Sequence, residues 1–232
     1  MSDQMYTSNE YLEKNPTWHV EDSPWKAGQI LKMMRQNNLT SLSIAEIGCG
    51  AGEILNQLYQ QLPDTTIFTG YELSPQAIEL CRPKQNDRLK FHLKDLLTEP
   101  NISYDLVLAI DVVEHVEDYL SFLRQLRTKG KYKIFHLPLD LSAQSVLRGR
   151  PIIDQRRDVG HLHYFTKDTA LASLTETGYK IIDYFYTAGS IDLPAKSLSS
   201  RLLRLPRRIL FKLNPDFTVR LLGGYSLMVL TE

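Results

Sequence analysis

A glycine-rich turn in this chain has the composition needed to hold a small polar ligand. The turn spans residues 44–52, IAEIGCGAG, and its candidate binding residues are Glu46, Gly48, Cys49, Gly50 and Gly52. Glycine reaches backbone angles that other residues avoid, so amide N–H groups can approach a ligand closely. A helical pattern starts at Glu53, and a helix N-terminus adds unpaired N–H donors. For Cys49 we expect the backbone to matter more than the thiol.

The glycine spacing disfavours two familiar phosphate-binding loops. In the dinucleotide fingerprint G-x-G-x-x-G the third glycine comes one position later than Gly52 does here. The loop G-x-x-x-x-G-K-[ST] needs a lysine and a hydroxyl residue that do not follow these glycines. An NAD-dependent oxidoreductase is therefore disfavoured.

Acidic residues also follow the next three apolar runs. The pairs are Glu72 and Leu73 after 66–71, Asp95 and Leu96 after 89–93, and Asp111 and Val112 after 104–110. In nucleoside-binding α/β folds, an acid about 20 residues beyond the glycines accepts hydrogen bonds from ribose hydroxyls. Glu72 has that position.

The elements that must position these residues alternate between strands and helices. Predicted strands are 43–47, 66–71, 89–93, 104–110, 132–138, 179–187 and 225–231. Predicted helices include one starting at Ser23-Pro24, a short one capped by Ser74, and those at about 52–61, 117–127 and 167–177, the last with Thr166 as its cap. Near-continuous apolar strands favour a doubly wound, mainly parallel seven-stranded α/β sheet. Ligands in such sheets lie at the carboxyl ends of the strands.

We interpret the chain as a single domain, 1–232. It divides into a lead-in and helix (1–40), a cofactor-binding core (41–138) and two acceptor-side insertions with helical lid segments (139–165 and 190–222). We expect 139–165 to be irregular. Aromatic side chains of the non-core segments could wall a pocket: Tyr11, Trp18, Trp25 and Tyr164.

Taken in order, the motifs resemble those of class I S-adenosylmethionine (SAM) dependent methyltransferases. The glycine turn matches the family's E/D-x-G-x-G-x-G, and residues 111–115, DVVEH, match D-V-L-E-H with Val113 for Leu. The resemblance implies a Rossmann-like methyltransferase fold and SAM as cofactor. It implies that the turn holds the methionine part, Glu72 the ribose, Asp95 and Leu96 the adenine, and that Asp111 lies near the ammonium group. The implied reaction is direct methyl displacement onto a small-molecule or lipid-like acceptor.

Three histidines are candidates for the acceptor side. His115 follows the fourth strand, while His161 and His163 lie in GHLHYFT. Histidine titrates near neutrality and can act as a general base. We take His115 and His163 as the catalytic candidates; a purely structural role is the alternative for each histidine.

A metal site is an alternative use of the same residues. Asp111, Glu114 and His115 share a face if their segment is helical, and His161 or His163 could add a ligand. This is similar to the E-x-x-E-H…H arrangement of metal-dependent RNA 2′-O-methyltransferases and some quinone O-methyltransferases. Because Asp111 cannot easily serve both metal and cofactor, we assign no metal. The alternative functions are a metal-assisted RNA 2′-O-methyltransferase and a non-catalytic SAM-binding regulatory protein.

A basic segment lies near the C-terminus. Its cations are Lys196, Arg201, Arg204, Arg207, Arg208, Lys212 and Arg220. At helical spacing, Leu202, Leu205, Ile209 and Leu213 line a face beside the arginines, and Pro206 predicts a kink. We expect a lid helix that packs its leucines on the domain and solvates its arginines. Peripheral membrane or lipid contact through 200–213 is the alternative.

Composition narrows the class of protein. Lysine plus arginine and aspartate plus glutamate both total 27, so the net charge is zero and gives no general case for nucleic-acid binding. The two cysteines fit a reducing compartment. We find neither a signal-peptide pattern nor an apolar run of membrane-spanning length and expect a cytoplasmic protein. The oligomeric state and the methylated atom stay open.

Overall fold

The computed structural model describes residues 17–18, 20–194 and 198–232, with the side chains of 198–200 left out. Tyr11 and Lys196 therefore lie outside the described residues. The strands are β1 (Ser43–Ile47), β2 (Ile67–Glu72), β3 (Leu89–Leu93), β4 (Tyr104–Ile110), β5 (Gly130–Pro138), β6 (Ile181–Thr187) and β7 (Ser226–Thr231). They follow the predicted strands closely.

Ten α-helices connect these strands within the described ranges. They are α1 (Ser23–Gln36), α2 (Glu53–Tyr59), α3 (Pro75–Cys81), α4 (Tyr119–Leu126), α5 (Ala143–Arg148), α6 (Arg150–Asp158), α7 (Lys167–Glu176), α8 (Gly189–Asp192), α9 (Leu198–Leu213) and α10 (Pro215–Leu222). Ser74 caps α3 by accepting from the Ala77 N–H, and Thr166 caps α7 with Thr169 in a capping box. Both caps were readable from the sequence.

All seven strands join one sheet in the order β3-β2-β1-β4-β5-β7-β6. Strands β1 to β5 are parallel, whereas β7 runs antiparallel to both β5 and β6. The predicted mainly parallel, doubly wound sheet is confirmed. Because the chain leaves β1 towards β2 on one side and later returns at β4 on the other, a crevice opens at the carboxyl ends of β1 and β4.

The apolar strand runs are buried on both sheet faces. One face packs Phe68 and Leu106 against α1 and α2, through residues such as Ile30 and Leu55. The other packs Val107, Phe135 and Val229 against α4 and α7. Burial on both faces explains why these strands read as continuous apolar runs without alternation.

Two local expectations are corrected. Segment 139–165 holds the short helices α5 and α6, with Ser142 and Ser145 forming a capping box ahead of α5. Residues 111–115 are not an α-helix: Asp111 has a left-handed φ of 54°, and a 3-10 turn, Val113–His115, follows. Asp111 therefore does not share a helix face with Glu114 and His115, and the i, i+3, i+4 argument for a metal site was wrong at that residue.

Helix α9 faces the opposite way from our expectation. Arg204 and Arg207 are its partly buried arginines; Arg204 donates to the Leu193 carbonyl, and Arg207 donates to the carbonyls of Leu222 (3.2 Å) and Gly223 (2.9 Å). The four predicted core positions are instead exposed: Leu202 by 71%, Leu205 by 66%, Ile209 by 51% and Leu213 by 77%. Backbone carbonyls at the ends of nearby elements bind the arginines, and this turns the leucines outward.

Within the described ranges, no helix is long and apolar enough to cross a bilayer.

Candidate functional site

A cavity of about 850 Å³ lies at the carboxyl ends of the central strands. Its wall combines the glycine turn, the ends of β2 to β5, the start of α1, and residues of the two insertions. Volumes of this size are typical of sites that enclose a drug-sized or larger ligand. The crevice expected from the strand order is thus a site with room for a cofactor and an acceptor.

The glycine turn meets the cavity closely because Gly48 and Gly50 carry no side chains. Gly48 has φ of 65°, and a Cβ there would lie 2.8 Å from Cγ2 of Val112. Gly50 has φ of 53° and lines the cavity beside the Trp18 ring. Gly52 has a different role: its missing Cβ leaves room for Phe91, whose ring carbon would be 2.5 Å away. Gly52 therefore packs α2 against β3 and does not line the cavity.

Glu72 ties the end of β2 to the glycine turn. Its Oε2 accepts the Gly50 N–H at 2.8 Å, and its Oε1 accepts the N–H groups of Leu73 (2.8 Å) and Ser74 (2.9 Å). Burial raises the pKa of this carboxyl although the three N–H donors oppose the shift. A carboxylate offers about four acceptor positions, so one remains for a ligand hydroxyl. Leu73, half exposed, lines the cavity next to it.

The end of β3 contributes Asp95 to the cavity wall. Its Oδ1 accepts the Leu97 N–H at 2.8 Å, which starts a 3-10 turn. The Leu96 side chain is fully buried in the core, whereas the neighbouring Leu97 lines the cavity. Only the backbone of Leu96 is then a candidate for ligand contact.

Asp111 is the centre of a charged network. Its Oδ2 lies 2.7 Å from Nζ of Lys26, and its Oδ1 lies 2.5 Å from Nδ1 of His136, whose Nε2 contacts Thr187 Oγ1 at 2.8 Å. Burial opposes ionisation of Asp111, but His136 and Lys26 outweigh it and hold the pKa of this carboxyl well below its usual range. A positive φ at a non-glycine residue costs energy and occurs preferentially at functional sites.

Sequence reasoning missed Lys26 and His136, although both line the cavity. His136 had a usable signal, since it is a polar residue near the carboxyl end of β5, between the apolar Phe135 and Leu137, and it pairs with Ile110 of β4. Lys26 had none, because a lysine between apolar helix positions looks like any solvated residue.

Glu46 is a buried acid that faces the cavity. It is 1% exposed, and its Oε2 has no hydrogen-bond partner among the described residues. Burial raises the pKa of this carboxyl well above its usual value, with Lys26 opposing the shift. An unpaired buried acid is costly, so the site gains stability from a ligand that supplies a donor or a positive charge.

Glu114, His115 and His161 form a compact cluster on the opposite wall. The Oε1 of Glu114 lies 3.8 Å from Nε2 of His115 and 3.9 Å from Nε2 of His161, and the two rings meet edge to face at 4.9 Å. Glu114 is fully buried, and neither of its carboxyl oxygens has a hydrogen-bond partner among the described residues. Burial, with the nearby charge of Asp111, raises its pKa well above the usual value.

The other nitrogen of each ring is already engaged. His161 Nδ1 lies 2.6 Å from Oδ2 of Asp140, and His115 Nδ1 lies 3.2 Å from the Gly160 carbonyl. These acceptors favour the tautomers that carry the proton on Nδ1, so both Nε2 lone pairs point to the cluster. Burial, with the nearby His161, lowers the pKa of His115 to about 4. At neutral pH His115 is therefore uncharged.

His163 lies elsewhere. Its Nε2 is 2.9 Å from the Val116 carbonyl and 3.1 Å from that of Glu117, its ring packs on Tyr119, and it does not line the cavity. His163 thus stabilises the loop, and His161 occupies the position in the cavity wall that we had expected for His163. Tyr164 supports the same loop by donating to the His161 carbonyl at 3.1 Å. Trp18 and Trp25 do line the cavity, as expected of pocket aromatics.

The structure thus brings most of the predicted site residues to one cavity. Those that line it are Glu46, Gly48, Cys49, Gly50, Glu72, Leu73, Asp95, Asp111, Val112 and His115. Three predicted site residues do not line the cavity: Gly52, Leu96 and His163. The two buried thiols lie by the turn, where Cys81 Sγ donates to the Gly50 carbonyl at 3.2 Å.

Comparison with known proteins agrees with the fold. A ubiquinone biosynthesis O-methyltransferase of Rickettsia bellii is 25% identical over 115 residues, which are 48% of this chain and 48% of that protein. The chain thus matches about half the length of that curated relative. Magnesium protoporphyrin IX methyltransferase from Synechocystis, crystallised with bound S-adenosylhomocysteine (SAH), superposes with a TM-score of 0.60 at 15% identity, covering 90% of this chain and 83% of that one.

The plantazolicin methyltransferase BpumL, solved in complex with SAH, superposes with a TM-score of 0.60 at 18% identity, covering 100% of this chain and 93% of that one. At such identities these likenesses show the shared fold. Residues 19–184, more than two thirds of the chain, match the family described as the methyltransferase domain. The predicted family is confirmed: this chain belongs to the methyltransferase domain family and has the fold of the class I SAM-dependent enzymes.

Proposed function

We propose that this protein is an enzyme that transfers a methyl group from SAM to a small-molecule acceptor. The observation that carries the proposal is the ring of strand-end groups around one cavity, in which two buried acids, Glu46 and Glu114, have carboxyl oxygens without a hydrogen-bond partner among the described residues. The family and the SAH-bound neighbours support the choice of cofactor. The predicted location is the cytoplasm.

The polar groups of the cavity suit the parts of SAM. Glu46 and Asp111 offer negative charge to the ammonium group, while the glycine turn and the start of α2 offer N–H donors to the carboxylate. Glu72 keeps one acceptor position for a ribose hydroxyl, and Asp95, in the cavity wall after β3, would accept from the adenine amine. Lys26 holds Asp111 in place from α1.

SAM, when bound, supplies an electrophilic methyl group on a sulfonium. The chain must then align the acceptor and exclude water, which can contribute several kcal/mol to the rate. For a hydroxyl acceptor, the Nε2 atoms of His115 and His161 are the cavity groups that would take its proton. Asp140 stabilises the charge that His161 would gain, through the 2.6 Å contact with its Nδ1.

An oxygen acceptor on a small molecule is the finer form of the proposal. The Rickettsia relative is an O-methyltransferase of ubiquinone biosynthesis by name. Two histidines whose Nε2 atoms share one wall suit the deprotonation of a hydroxyl. Nitrogen and carbon acceptors are the alternatives that an acceptor screen distinguishes.

The first experiment is a calorimetric titration with SAM and SAH. We expect saturable binding by the wild type and a loss of affinity of roughly ten- to a hundredfold for Glu72→Ala, because one hydrogen bond to a charged group contributes roughly 1.5–3 kcal/mol. Glu79→Ala, an exposed acid on α3, is the matched control and should bind normally. No SAM binding by the wild type would overturn the proposal. Binding with no SAH production in a broad acceptor screen would favour the regulatory alternative.

Metal-assisted transfer is a second candidate that the Glu114–His115–His161 cluster favours. One ligand atom from each residue lies within 4.8 Å of the others, and both Nδ1 atoms have acceptors that orient the rings. A divalent cation there would hold an acceptor oxygen and favour its ionised form. Magnesium, manganese and zinc should each be titrated into wild type and His161→Ala. Binding that the variant loses, together with activity that EDTA abolishes, would establish this candidate; EDTA-resistant activity would exclude it.

A further inference from the structure

Helix α9 presents an apolar face that has no cover within the described structure. Leu202, Leu205, Ile209 and Leu213 recur at i, i+3, i+7 and i+11 and are each at least half exposed. Soluble helices normally bury such a stripe. Scattered exposed leucines need no explanation, but a contiguous stripe marks an interaction surface.

Three cations border this stripe. Arg201, Arg208 and Lys212 are exposed, and none of them forms an ion pair with another described residue. They lie along one edge of the stripe at helical spacing, whereas Arg204 and Arg207 bind the body of the protein. The outer surface of α9 therefore combines a leucine stripe with a positive border.

A neighbouring helix also exposes apolar side chains. Helix α5 exposes Val146 by 58% and Leu147 by 85%, and it adjoins α9 through the 3.4 Å contact between Arg207 and Gln144. Arg148 follows Leu147 directly and is also exposed. Two elements thus present apolar side chains next to arginines.

We propose that α9 docks this protein on an anionic lipid bilayer. The leucine stripe would enter the boundary between head groups and acyl chains, and Arg201, Arg208 and Lys212 would contact the lipid phosphates. Charge complementarity supports this occupant. A nucleic acid would use the cations but leave the leucines in water, and a second copy of α9 would bring like charges together.

The docked helix is attached directly to the cavity wall. Arg204 donates to the carbonyl of Leu193, which lines the cavity, and Arg207 binds Gly223, next to the cavity residue Gly224. If the proposed methyltransferase function holds, on which this step rests, docking would bring the acceptor side of the cavity to amphiphilic acceptors in the lipid. Arg204 and Arg207 would transmit the helix position to the cavity.

Vesicle sedimentation tests the docking itself. The wild type should bind phosphatidylcholine vesicles that contain phosphatidylglycerol, and should bind pure phosphatidylcholine much less. Leu205→Asp with Ile209→Asp should abolish binding. Leu42→Asp is the matched control, because Leu42 has the same 66% exposure as Leu205 but precedes β1 at the opposite end of the strands. Replacing Arg201, Arg208 and Lys212 by glutamine should weaken binding by roughly a hundredfold, at about 1 kcal/mol per cation.

Several results would overturn the proposal. They are no vesicle binding by the wild type, equal binding to both vesicle types, or unchanged binding by the double variant. Sedimentation velocity tests a further outcome. If the wild type does not bind lipid but forms a dimer, and Leu205→Asp with Ile209→Asp dissociates that dimer, the stripe is an interface with a second copy. A SAM titration on the same variants separates the two proposals, since SAM affinity should not change. Vesicle binding without SAM binding would leave docking intact and sink only the enzymatic proposal.

Discussion

The cavity and the outer face of α9 depart from the usual rule of burial in opposite directions. In the cavity, Glu46 and Glu114 are buried acids with unpaired oxygens. On α9, the apolar side chains of Leu202, Leu205, Ile209 and Leu213 are exposed to water. Each departure costs stability in the free protein, and each would be relieved by a ligand of matching chemistry. A polar small molecule fits the first region and an apolar, anionic surface fits the second.

The two regions also differ in how strongly their residues depend on one another. The cavity groups touch through short ionic contacts such as Lys26–Asp111 at 2.7 Å and Asp111–His136 at 2.5 Å. The leucines of α9 are exposed to water, and other side chains hold the helix to the protein: Arg204, Arg207 and Phe211. Changes in the cavity should therefore affect folding and binding together, whereas changes on the stripe should affect docking alone.

The largest effect on folding is expected for Asp111→Asn. Asparagine tolerates the positive φ, but it leaves Lys26 and His136 without their counterion. Removing one partner of a buried pair costs about 3 kcal/mol or more, and urea denaturation should show a loss of that size. Asp64→Asn is the control: Asp64 pairs with Arg88 at 2.8 Å but is almost fully exposed, so about 1 kcal/mol or less is expected. Equal losses for the two variants would contradict the proposed difference in burial.

Glu114→Gln should stabilise the folded protein, which is the opposite of the effect expected for Asp111→Asn. Because burial raises the pKa of Glu114 above its unfolded value, its contribution to stability is complete at acidic pH and is lost as the pH rises through the folded-state pKa. Glutamine removes that dependence.

In EDTA we therefore expect the variant and the wild type to be similar near pH 4. The variant should be more stable at pH 8 by about 1–3 kcal/mol, the cost of unpaired buried polar atoms. Thermal unfolding across this pH range measures the difference. A gap that does not widen with pH would show that Glu114 is already paired. Loss of metal affinity in the same variant would support the second candidate function.

The smallest effect is expected on the stripe. Leu205→Ala should change the free energy of unfolding by less than about 0.5 kcal/mol, as for most surface positions. Phe211→Ala, on the inner side of α9, is the contrasting variant because its ring stacks on Tyr225 at 5.0 Å and meets Tyr186. It should cost about 2 kcal/mol. A large loss for Leu205→Ala would mean that the stripe is covered in the folded protein.

Local sequence signals located most of the site but not its partners. The spacing of Gly48, Gly50 and Gly52 and the acids at 72, 95 and 111 follow from strand–turn–helix units, in which neighbouring residues determine the geometry. Lys26 and His136 reach Asp111 from α1 and β5, at 85 and 25 residues' separation along the chain. No short pattern encodes such a distance. Only the path of the loop past Glu114 shows that His161 lines the cavity and His163 does not.

The sequence by itself determined the alternation of strands and helices, the caps at Ser74 and Thr166, and the glycine turn, because these depend on residues a few positions apart. It also contained the amphipathic pattern of α9. Only the tertiary structure decided which side of that helix faces water. The carbonyls of Leu193, Leu222 and Gly223 bind Arg204 and Arg207, and those partners come from other elements. Periodicity defines the two faces of a helix, and the groups packed beside it select the face that is buried.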